Sequence, residues 1–490
     1  MRSRRNSQLF ALAGALLILA SACGQKPGVA TKGGGVNLAG GLPPGATVDP
    51  ETGNIIDAEG NVIGNTGSAG TGSSTTTGTG GTGGTGTGGT GGTGTGGTGG
   101  TGGTGGSGSG GGGPSGATAT GVSNDLIKIG GHAPVTGAAP VPASSFKKGQ
   151  SIYWDYIKSK GQKITGRDVE ADVRNDNFNP STAVAQCKEL VQEKEVFLLI
   201  GIAGADQITA CARYAASIGV PYLSAGVNES GVSTLPNYFA LWMTYKQQAP
   251  LLVDYMISKL GAKSEENGMI RFNTGGFADG HDAFLSAMSK AGAKVGYDRA
   301  VPKTAGENEA RQYATEICTR AVKLDNLYVL TSPTFFIFLA NSIKNNQNCG
   351  PPQLTYVGVG LTMTIDTVAN AACANSNSIA DAKFLSPFPA YANADQFDPD
   401  FRKAGGTDDI QFGLWGLSKV TAALLKLPGR ELTRERFIDS VSKARGIKTN
   451  VLPDVTFSPT DHLGGDAMHM NRANCQTRAW VTEKAFAKAF

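Results

Sequence analysis

From Leu126 onward the chain repeats one pattern, in which a short apolar segment is followed by a longer segment with helical periodicity. Strictly alternating strands and helices, with strands that are apolar throughout, indicate parallel sheets covered by helices on both faces. The first run predicts strands at 126–130, 169–173, 196–200 and 221–224, and helices at 144–160, from the Asn179-Pro180 cap onward and around Cys211.

The same alternation then restarts and predicts a second unit. Its elements are helices at 247–260, 280–291, 309–322 and 334–344, and strands at 269–272, 295–300, 327–330 and 354–359. Two such runs predict an α/β fold of two doubly wound, Rossmann-like lobes. Ligands of doubly wound sheets bind beyond the carboxyl ends of the strands, so two facing lobes would form a cleft for a small molecule.

The N-terminal segment has the composition of an export signal. Arginines precede an apolar run from Leu9 to Ala20, which is too short to span a bilayer but has the length of a signal-peptide core. Small residues then lead to Cys23, as in a bacterial lipobox, although the usual leucine is displaced by one position. The alternative is an ordinary secretory signal with a chance cysteine. We predict a lipoprotein signal over residues 1–23 and extracytoplasmic attachment to the cell membrane through lipid on Cys23.

Residues 24–121 are predicted to be a flexible linker. Between 64 and 113 the sequence is nearly all Gly, Thr and Ser, so ordering it would cost backbone entropy without burying apolar surface. A chain of about 50 such residues spans roughly 40 Å. Turn signals around short apolar pairs in residues 44–65 predict at most a small hairpin. The tract is interpreted either as a tether that holds the folded part away from the membrane, or as a low-complexity sequence whose length is not under selection.

Apart from Cys23 the chain has six cysteines, an even number that suggests three disulfides in an exported protein. Fifteen connectivities are possible, and the simplest is sequential: Cys187 with Cys211, Cys318 with Cys349, and Cys373 with Cys475. The six cysteines lie far apart with no C-x-x-C pair, so neither zinc binding nor thiol redox chemistry is expected. No metal site and no cofactor are predicted. The net charge of +4, from 43 basic and 39 acidic side chains, does not favour nucleic acid as a partner.

At this level of detail the chain resembles the type I periplasmic binding proteins, specifically the branched-chain-amino-acid receptors of ABC importers. The order and spacing of several segments carry the resemblance: the strand and loop at 127–130 and 134–137, the strand-to-helix joint at 172–176 with Pro180, the strands at 196–201 and 219–224, and the helix at 411–427. It covers roughly residues 123–490 and implies the periplasmic binding protein type I fold. It also supports a bridge between Cys187 and Cys211, whose segments the family often joins.

The resemblance further implies that the chain crosses between lobes three times, near 242–245, 385–389 and 450–453, and that these crossings form a hinge. The first lobe would comprise 122–243 plus 386–450, and the second 244–385 plus 451–490. Expected partners are a small-molecule solute and the permease subunits of an ABC importer, with the protein a monomer. A ligand-sensing receptor subunit that acts through a separate membrane partner is the alternative.

Positions that match the family's ligand loops are Pro134, Thr136, Ala203, Gly204, Ala205, Gly226, Asn228, Phe277, Thr334 and Phe335. Family members that bind amino acids pair the ligand's ammonium with an acid in the second lobe, because a buried charge needs a partner. Residues 331–336, where that acid would lie, contain no carboxylate. We therefore predict a small molecule that is either amino-acid-like or, as the sharper hypothesis, has an aromatic or apolar body and one carboxylate or amide end. The alternatives are that the phenylalanines belong to the core, and that Glu229, Asp279 or Asp282 supplies the charge.

Other residues indicate no chemistry of their own. His132 could donate to a ligand anion at the mouth of the cleft or serve a structural role. The folded region contains no G-x-S-x-G, H-E-x-x-H or P-loop motif, so an enzyme is not expected. A surface adhesin on a stalk is a third class, suggested only by the linker.

Overall fold

The structure is a computed structural model that describes residues 47–48, 54–56, 62–65, 119–138, 141–224, 229–350, 354–374 and 376–490. Cys23 and the predicted signal peptide lie outside these residues, as does most of the predicted linker. The chain divides into two compact units, Met1–Gly96 and Gly97–Phe490. In the first unit, β1 (Thr47–Val48), β2 (Asn54–Ile56) and β3 (Val62–Asn65) pair as an antiparallel sheet, so the small hairpin predicted within 44–65 has a third strand.

The second unit opens with a five-stranded parallel sheet. Its strands are β4 (Leu126–Ala133), β5 (Asp168–Asn175), β6 (Leu198–Gly201), β7 (Tyr222–Ser224) and β8 (Tyr238–Ala240), in the order β5-β4-β6-β7-β8. Between them run α1 (Ala143–Ser159), α2 (Pro180–Gln192) and α3 (Ala205–Ser217). The side chain of Asn179 accepts a hydrogen bond from the Thr182 N–H, which confirms the predicted helix start. The four predicted strands are confirmed, and β8 was not predicted.

A seven-stranded sheet forms the second lobe. Its strands are β9 (Asn267–Phe272), β10 (Tyr297–Val301), β11 (Asn326–Leu330), β12 (Thr355–Val359), β13 (Lys383–Ser386), β14 (Met468–Asn474) and β15 (Ala479–Ala487), in the order β10-β9-β11-β12-β13-β14-β15. Strands β9 to β13 are parallel, whereas β14 and β15 form an antiparallel hairpin at the edge. The helices are α4 (Tyr245–Leu260), α5 (Gly275–Lys290), α6 (Glu307–Cys318), α7 (Pro333–Lys344) and α8 (Asp366–Cys373).

After β13 the chain returns to the first sheet. It forms α9 (Ala394–Phe397), α10 (Asp400–Lys403), α11 (Asp409–Lys426) and α12 (Arg434–Ser442). Helix α11 packs on α1 at Gly149, where a Cβ atom would lie 2.6 Å from the Leu414 side chain. Phe437 of α12 packs edge-on against Phe197, with 5.6 Å between ring centroids. The predicted α/β class with two sheets is thus confirmed, and none of the described helices is long and apolar enough to cross a membrane.

One part of the C-terminal tail lies elsewhere than predicted. The Ala240 N–H donates to the His462 carbonyl at 2.9 Å, and the Gly464 N–H donates to the Ala240 carbonyl at 2.8 Å. Residues 462–464 are therefore bonded to β8 of the first sheet, and Val455 and Phe457 donate to the carbonyls of Ile447 and Ala444, although the sequence assigned residues 455–465 to the second lobe. The reason is that β8 is an edge strand, and edge strands leave backbone groups unpaired until another segment covers them.

All three disulfides follow the sequential pairing. Cys187–Cys211 joins α2 to α3, and Cys318–Cys349 joins the end of α6 to the segment after α7. Cys373–Cys475 joins α8 to the turn between β14 and β15. Each bridge therefore links elements of one lobe.

Two buried side chains have strongly shifted pKa values. Asp409, in the first turn of α11, accepts a hydrogen bond from the Asp366 N–H at 2.5 Å. Burial, and next the charge of Asp366, raise the pKa of Asp409 from 3.8 to about 7. His469 on β14 is completely buried and donates through Nε2 to the Val451 carbonyl at 3.1 Å. Burial lowers the pKa of His469 from 6.5 to about 3.

These two groups give the free energy of unfolding opposite pH dependences. Asp409 binds its proton more tightly in the folded chain, so its stabilising contribution is complete below pH 3.8 and is lost as the pH rises to about 7. His469 binds its proton less tightly when folded, so its contribution is complete above pH 6.5 and is lost towards pH 3. We expect Asp409→Asn to become progressively more stable than the wild type from pH 4 to pH 8, by up to about 4 kcal/mol.

Urea unfolding at pH 4, 6 and 8 measures this difference, with the exposed Asp155→Asn as the control. A difference between Asp409→Asn and the wild type that stays constant with pH would contradict the raised pKa.

Candidate functional site

The carboxyl ends of the strands in both sheets lie at one cleft, and contacts between described residues of the two lobes cross it. The first involves Asp206, in the first turn of α3. Its Oδ1 accepts a hydrogen bond from the Gly276 N–H at 3.1 Å, and its Oδ2 pairs with Lys303 Nζ at 2.9 Å. The Lys303 ammonium also lies 4.1 Å from the ring centroid of Phe178, which follows β5. Two elements of the second lobe are thus held by one carboxylate of the first.

Two other contacts use backbone groups. Asp279 Oδ2 accepts hydrogen bonds from the N–H groups of Glu229 and Ser230, both at 2.8 Å, and Oδ1 accepts from the Ser230 hydroxyl at 2.6 Å. Burial acts to raise the pKa of Asp279, but these hydrogen bonds together hold the pKa below its usual value. On a different side of the cleft, the N–H and hydroxyl of Thr334 both donate to the Ala138 carbonyl, at 3.2 and 3.1 Å. The lobes therefore touch around the cleft.

The Asp206–Lys303 pair should control how readily the cleft opens. Both side chains are 18% exposed, and hydrogen bonds between such charged groups contribute about 1.5–3 kcal/mol. We expect Lys303→Met to shift the open–closed equilibrium about tenfold or more towards open in the absence of solute. Energy transfer between dyes on the two lobes measures the shift. Lys294→Met, which removes the more exposed Lys294–Glu265 pair, is the control. An unchanged distribution in Lys303→Met would contradict this role.

An aromatic pair lies at the cleft. The rings of Tyr245 and Phe277 stack at 13° with centroids 5.9 Å apart, and Phe277 is 4% exposed. Tyr245 is the first residue of α4, whose start is held by a capping box between Thr244 and Gln247. Burial, and next the charge of Asp206, raise the pKa of Tyr245, so its hydroxyl stays protonated and can donate a hydrogen bond. Phe277 is buried and Tyr245 is partly exposed, so the accessible part of the pair belongs mainly to Tyr245 with its hydroxyl.

Two polar side chains at the cleft lack partners in the described part of the chain. Gln207 in α3 is completely buried, and both its amide oxygen and its amide nitrogen are unpaired. Its amide oxygen lies 2.5 Å from where a Cβ would be at Gly204, whose φ of 85° also favours glycine. Thr274 occupies the N-cap position of α5, yet its buried hydroxyl makes no capping bond. Buried polar groups are normally hydrogen-bonded, so both are candidates to bind a ligand.

Gln207, Tyr245 and Thr274 were not predicted from the sequence. A threonine after an apolar strand and before Gly275 is a signal that could have identified Thr274. For Gln207 there is no such signal, because a glutamine in an amphipathic helix is usually exposed.

The structure separates the predicted ligand residues into groups. Ala203 and Gly204 directly precede α3, and Ala205 is its first residue. A Cβ atom added at Gly276, the residue before Phe277, would lie 2.7 Å from Ala205 Cβ, so these two residues are close together. Pro134 is buried directly after β4. Gly226 and Asn228 lie outside the described residues.

Three predicted residues already have contacts within the protein. Thr136 is exposed, and its hydroxyl accepts from Asn175 Nδ2 and donates to Asn177 Oδ1, both at 2.8 Å. Thr334 forms the contact with Ala138 described above. Phe335 is 1% exposed and packs 5.8 Å from the ring of Phe272, in the core of the second lobe. Their assignments as ligand contacts remain predictions.

Each acid proposed to supply a charge has a partner. Glu229 accepts a hydrogen bond from the Thr244 hydroxyl at 2.7 Å and pairs with Lys246 at 2.9 Å. Asp279 is bonded to residues 229 and 230, as described above. Asp282 is 77% exposed and contacts His281. To receive an ammonium group, any of them would have to exchange or share a partner.

His132 is completely buried behind the cleft. Its Nδ1 lies 2.8 Å from Asp176 Oδ2, and its Nε2 lies 2.7 Å from the Tyr222 hydroxyl, so both ring nitrogens have partners. These contacts fit a structural role for His132. Its ring nitrogen also lies within 4.8 Å of the sulfurs of Cys187 and Cys211. These cysteines are bonded to each other, so their sulfurs are not available as thiolate ligands.

Two lobes of mainly parallel strands, with the carboxyl ends of both sheets at one cleft, define a two-lobed binding protein of the α/β class. A family model described as periplasmic binding protein matches residues 126–478. The chain belongs to this family. A search of the curated proteins found no match.

Several solved structures share the fold. A solute-binding protein of an ABC transporter from R. palustris, in complex with benzoate, is 18% identical with a TM-score of 0.60, covering 74% of this chain and 97% of its own. The branched-chain amino acid transporter substrate-binding protein LivJ from Streptococcus pneumoniae, in complex with isoleucine, is 17% identical with a TM-score of 0.60, covering 73% and 99%. A fatty acid ABC transporter substrate-binding protein from Thermomonospora curvata is 16% identical with a TM-score of 0.60, covering 76% and 93%.

Proposed function

We propose that this protein captures a small carboxylate or amide with an aromatic or apolar body in its cleft and delivers it to the permease of an ABC importer. The observation that carries the proposal is the combination of the Tyr245–Phe277 pair with the unpaired polar groups of Gln207 and Thr274. The aromatic pair suits an apolar body, and the amide and hydroxyl suit one polar end.

The acids at the cleft support the same solute class. A buried ammonium needs a carboxylate, and Asp206, Glu229 and Asp279 are each bonded to other protein groups. A carboxylate solute would instead need donors, which the Gln207 amide, the Thr274 hydroxyl and the Tyr245 hydroxyl can supply. The fold itself is compatible with either class, since the similar structures include complexes with benzoate and with isoleucine.

We further propose that the protein acts outside the cytoplasm as a monomer, anchored through lipid on Cys23 after export by the signal in residues 1–23. The tract at 24–121 would hold the two lobes away from the membrane. Replacing Cys23 with serine tests the anchor, because it should move the exported protein from the membrane fraction to the soluble fraction. Membrane retention of Cys23→Ser would contradict lipid attachment at this residue.

Isothermal titration with benzoate, 4-hydroxybenzoate, octanoate, leucine and isoleucine tests the solute class. We expect at least one of the carboxylates without an α-ammonium to bind, and to bind at least tenfold more tightly than either amino acid. At 100 times its dissociation constant, such a solute should raise the free energy of unfolding by about 2.7 kcal/mol. Preferential binding of leucine or isoleucine would contradict the proposed class while leaving the family and fold unaffected.

A further inference from the structure

A surface groove of the second lobe lies between α6 and the second half of α7, with the segment that follows α7 at one end. We call it the α6–α7 groove. Its volume is about 600 Å³, and small-molecule sites in proteins commonly measure about 300–1,000 Å³. None of the residues that line it takes part in the contacts across the cleft described above. The groove is therefore separate from the proposed solute site.

The lining of the α6–α7 groove is polar but carries no net charge. Its two charged residues, Glu307 and Arg311, pair with each other at 3.0 Å. Five of the ten lining residues are asparagine or glutamine, and an amide side chain offers both a donor and an acceptor. These amides are Asn341, Asn345, Asn346, Gln347 and Asn348. The groove thus suits a neutral ligand with many hydrogen-bonding groups.

Several of these amides are accessible and are not used inside the protein. Asn345, Gln347 and Asn348 are exposed, and their side chains have no hydrogen-bond partner among the described residues. The amide oxygen of Asn341 accepts a hydrogen bond from the Ser378 hydroxyl at 2.7 Å, which fixes the orientation of that amide. Free donors and acceptors therefore face solvent along one stretch of the groove.

The amide-rich segment is also held in place. Cys349, at its end, is bonded to Cys318 of α6. The amide oxygen of Asn346 accepts from the Asn348 N–H at 3.0 Å, and Lys323 Nζ donates to the Asn348 carbonyl at 3.0 Å. Groups that are already ordered lose less conformational entropy when a ligand binds. The segment therefore presents its amides with part of the entropic cost of binding removed.

Phe338 adds an apolar surface to the α6–α7 groove. Phe335 and Phe336 on the same helix are buried, at 1% and 0% exposure, whereas Phe338 is partly exposed and lines the groove. Ser342 and Asn345 follow it at spacings of four and seven residues, so they lie on the same face of the helix. One aromatic ring thus lies beside a row of hydrogen-bonding side chains.

We propose that the α6–α7 groove binds a neutral oligosaccharide whose hydroxyls are equatorial. Such a sugar has a flat face of C–H groups that packs on an aromatic ring, and its hydroxyls both donate and accept, as amides do. A charged ligand would find no unpaired counter-ion among the described side chains of the lining, since Glu307 and Arg311 pair with each other. The site goes beyond the proposed function, because it takes a different ligand at a different place.

Titration of the ¹⁵N-labelled whole chain with cellotetraose and with the tetramer of N-acetylglucosamine tests this proposal. The side-chain amide signals of Asn345 and Gln347 are identified by their loss in Asn345→Ala and Gln347→Ala. We expect both signals to shift saturably with at least one of the two sugars and not with tetraglycine. The amide signal of Gln312, which is exposed on α6 outside the groove, should not move. No response to either sugar, or a response to the peptide alone, would overturn the proposal.

The source of the sugar is distinguished by sedimentation with insoluble cellulose and chitin. Sedimentation with either polymer would identify a glycan at the cell surface as the ligand. Binding of a tetrasaccharide without sedimentation would identify a soluble oligosaccharide. Both results agree with the proposal, because the polymer and the tetrasaccharide present the same hydroxyls and C–H faces.

Calorimetric titration of variants with the tetrasaccharide that binds gives an independent readout. Phe338→Leu keeps an apolar side chain but removes the ring, and it should weaken binding about fivefold or more. The double variant Asn345→Ala with Gln347→Ala should weaken it about tenfold, since it removes two exposed amides without disturbing the core. Gln312→Ala removes an exposed amide outside the groove and is the matched control, with an affinity within about twofold of the wild type.

Unchanged affinity in the double variant would overturn the proposal, and so would an equal loss in Gln312→Ala. If Phe338→Leu does not fold, the double variant alone decides. Failure of benzoate and the other carboxylates to bind would contradict the proposed function and would leave the α6–α7 groove unaffected, because the groove shares no residue with the cleft contacts.

Discussion

Replacing Phe277 with leucine, or Gln207 with leucine, should weaken the binding of an aromatic carboxylate such as benzoate by about 10- to 100-fold. Leucine in place of Phe277 removes the aromatic ring. An aromatic contact contributes about 0.5–1.5 kcal/mol to the free energy of binding in addition to the contribution of the buried apolar area. Leucine in place of Gln207 removes the amide that we propose binds the carboxylate, and hydrogen bonds to charged groups contribute about 1.5–3 kcal/mol. The double variant should show the largest loss.

Phe335→Leu is the matched control for Phe277→Leu. Both residues were predicted to bind ligand, but Phe335 packs on Phe272 in the core of the second lobe. We expect Phe335→Leu to lower the free energy of unfolding while leaving the solute affinity within about twofold, since Phe335 is 1% exposed and its ring packs against other protein side chains. Calorimetric titration and urea unfolding of each variant separate the two effects. A large loss of affinity in Phe335→Leu, with none in Phe277→Leu, would contradict the site described above.

Removing the Cys373–Cys475 disulfide by a double serine substitution should lower the free energy of unfolding more than removing the Cys187–Cys211 disulfide. The two cysteines are 102 residues apart. Closing a loop of this size lowers the conformational entropy of the unfolded chain and so raises the free energy of unfolding by about 4.7 kcal/mol. The bridge also fixes the β14–β15 hairpin to α8, although these elements are distant in sequence. We expect the urea midpoint of the double variant to fall accordingly.

The Cys187–Cys211 pair provides the comparison, because its separation is only 24 residues. Its removal should cost about 3.4 kcal/mol by the same relation, so the two double variants should differ by about 1 kcal/mol. Equal losses, or a larger loss for the shorter loop, would show that strain or residual structure dominates over chain entropy.

The alternation of strands and helices was predictable because it depends on local periodicity. Eight of the strands in the two sheets were predicted near their observed positions, from β4 at 126–133 to β12 at 355–359. The start of α5 was missed, since Gly275 and Gly276 resemble a loop in sequence but begin the helix here. The hairpin of β14 and β15 was missed for a different reason. Its polar residues, such as Asn471 and Arg472, show no apolar alternation, and its pairing depends on the free edge of β13.

The candidate site was only partly predictable. Phe277 was predicted because it matches a ligand loop of the family; the structure places its ring beside that of Tyr245, and its contact with a ligand stays a prediction. Phe335 was predicted in the same way, yet its side chain enters the core. The orientation of a side chain at the start of a helix depends on how that helix packs, which spacing alone does not indicate. Gln207 and Thr274 could be recognised only from their missing partners in the folded chain.

The sequence by itself determined the α/β class and the two runs that form the lobes, because strand burial and helix periodicity are local properties, whereas the pairing of the six cysteines was one choice among fifteen. The tertiary structure decided which side chains meet at the cleft, where residues 455–465 pair and which polar groups stay unpaired. Those outcomes depend on contacts between residues far apart in the chain, such as Asp206 with Lys303. The free energy of such contacts depends on burial and geometry that exist only once both lobes are folded.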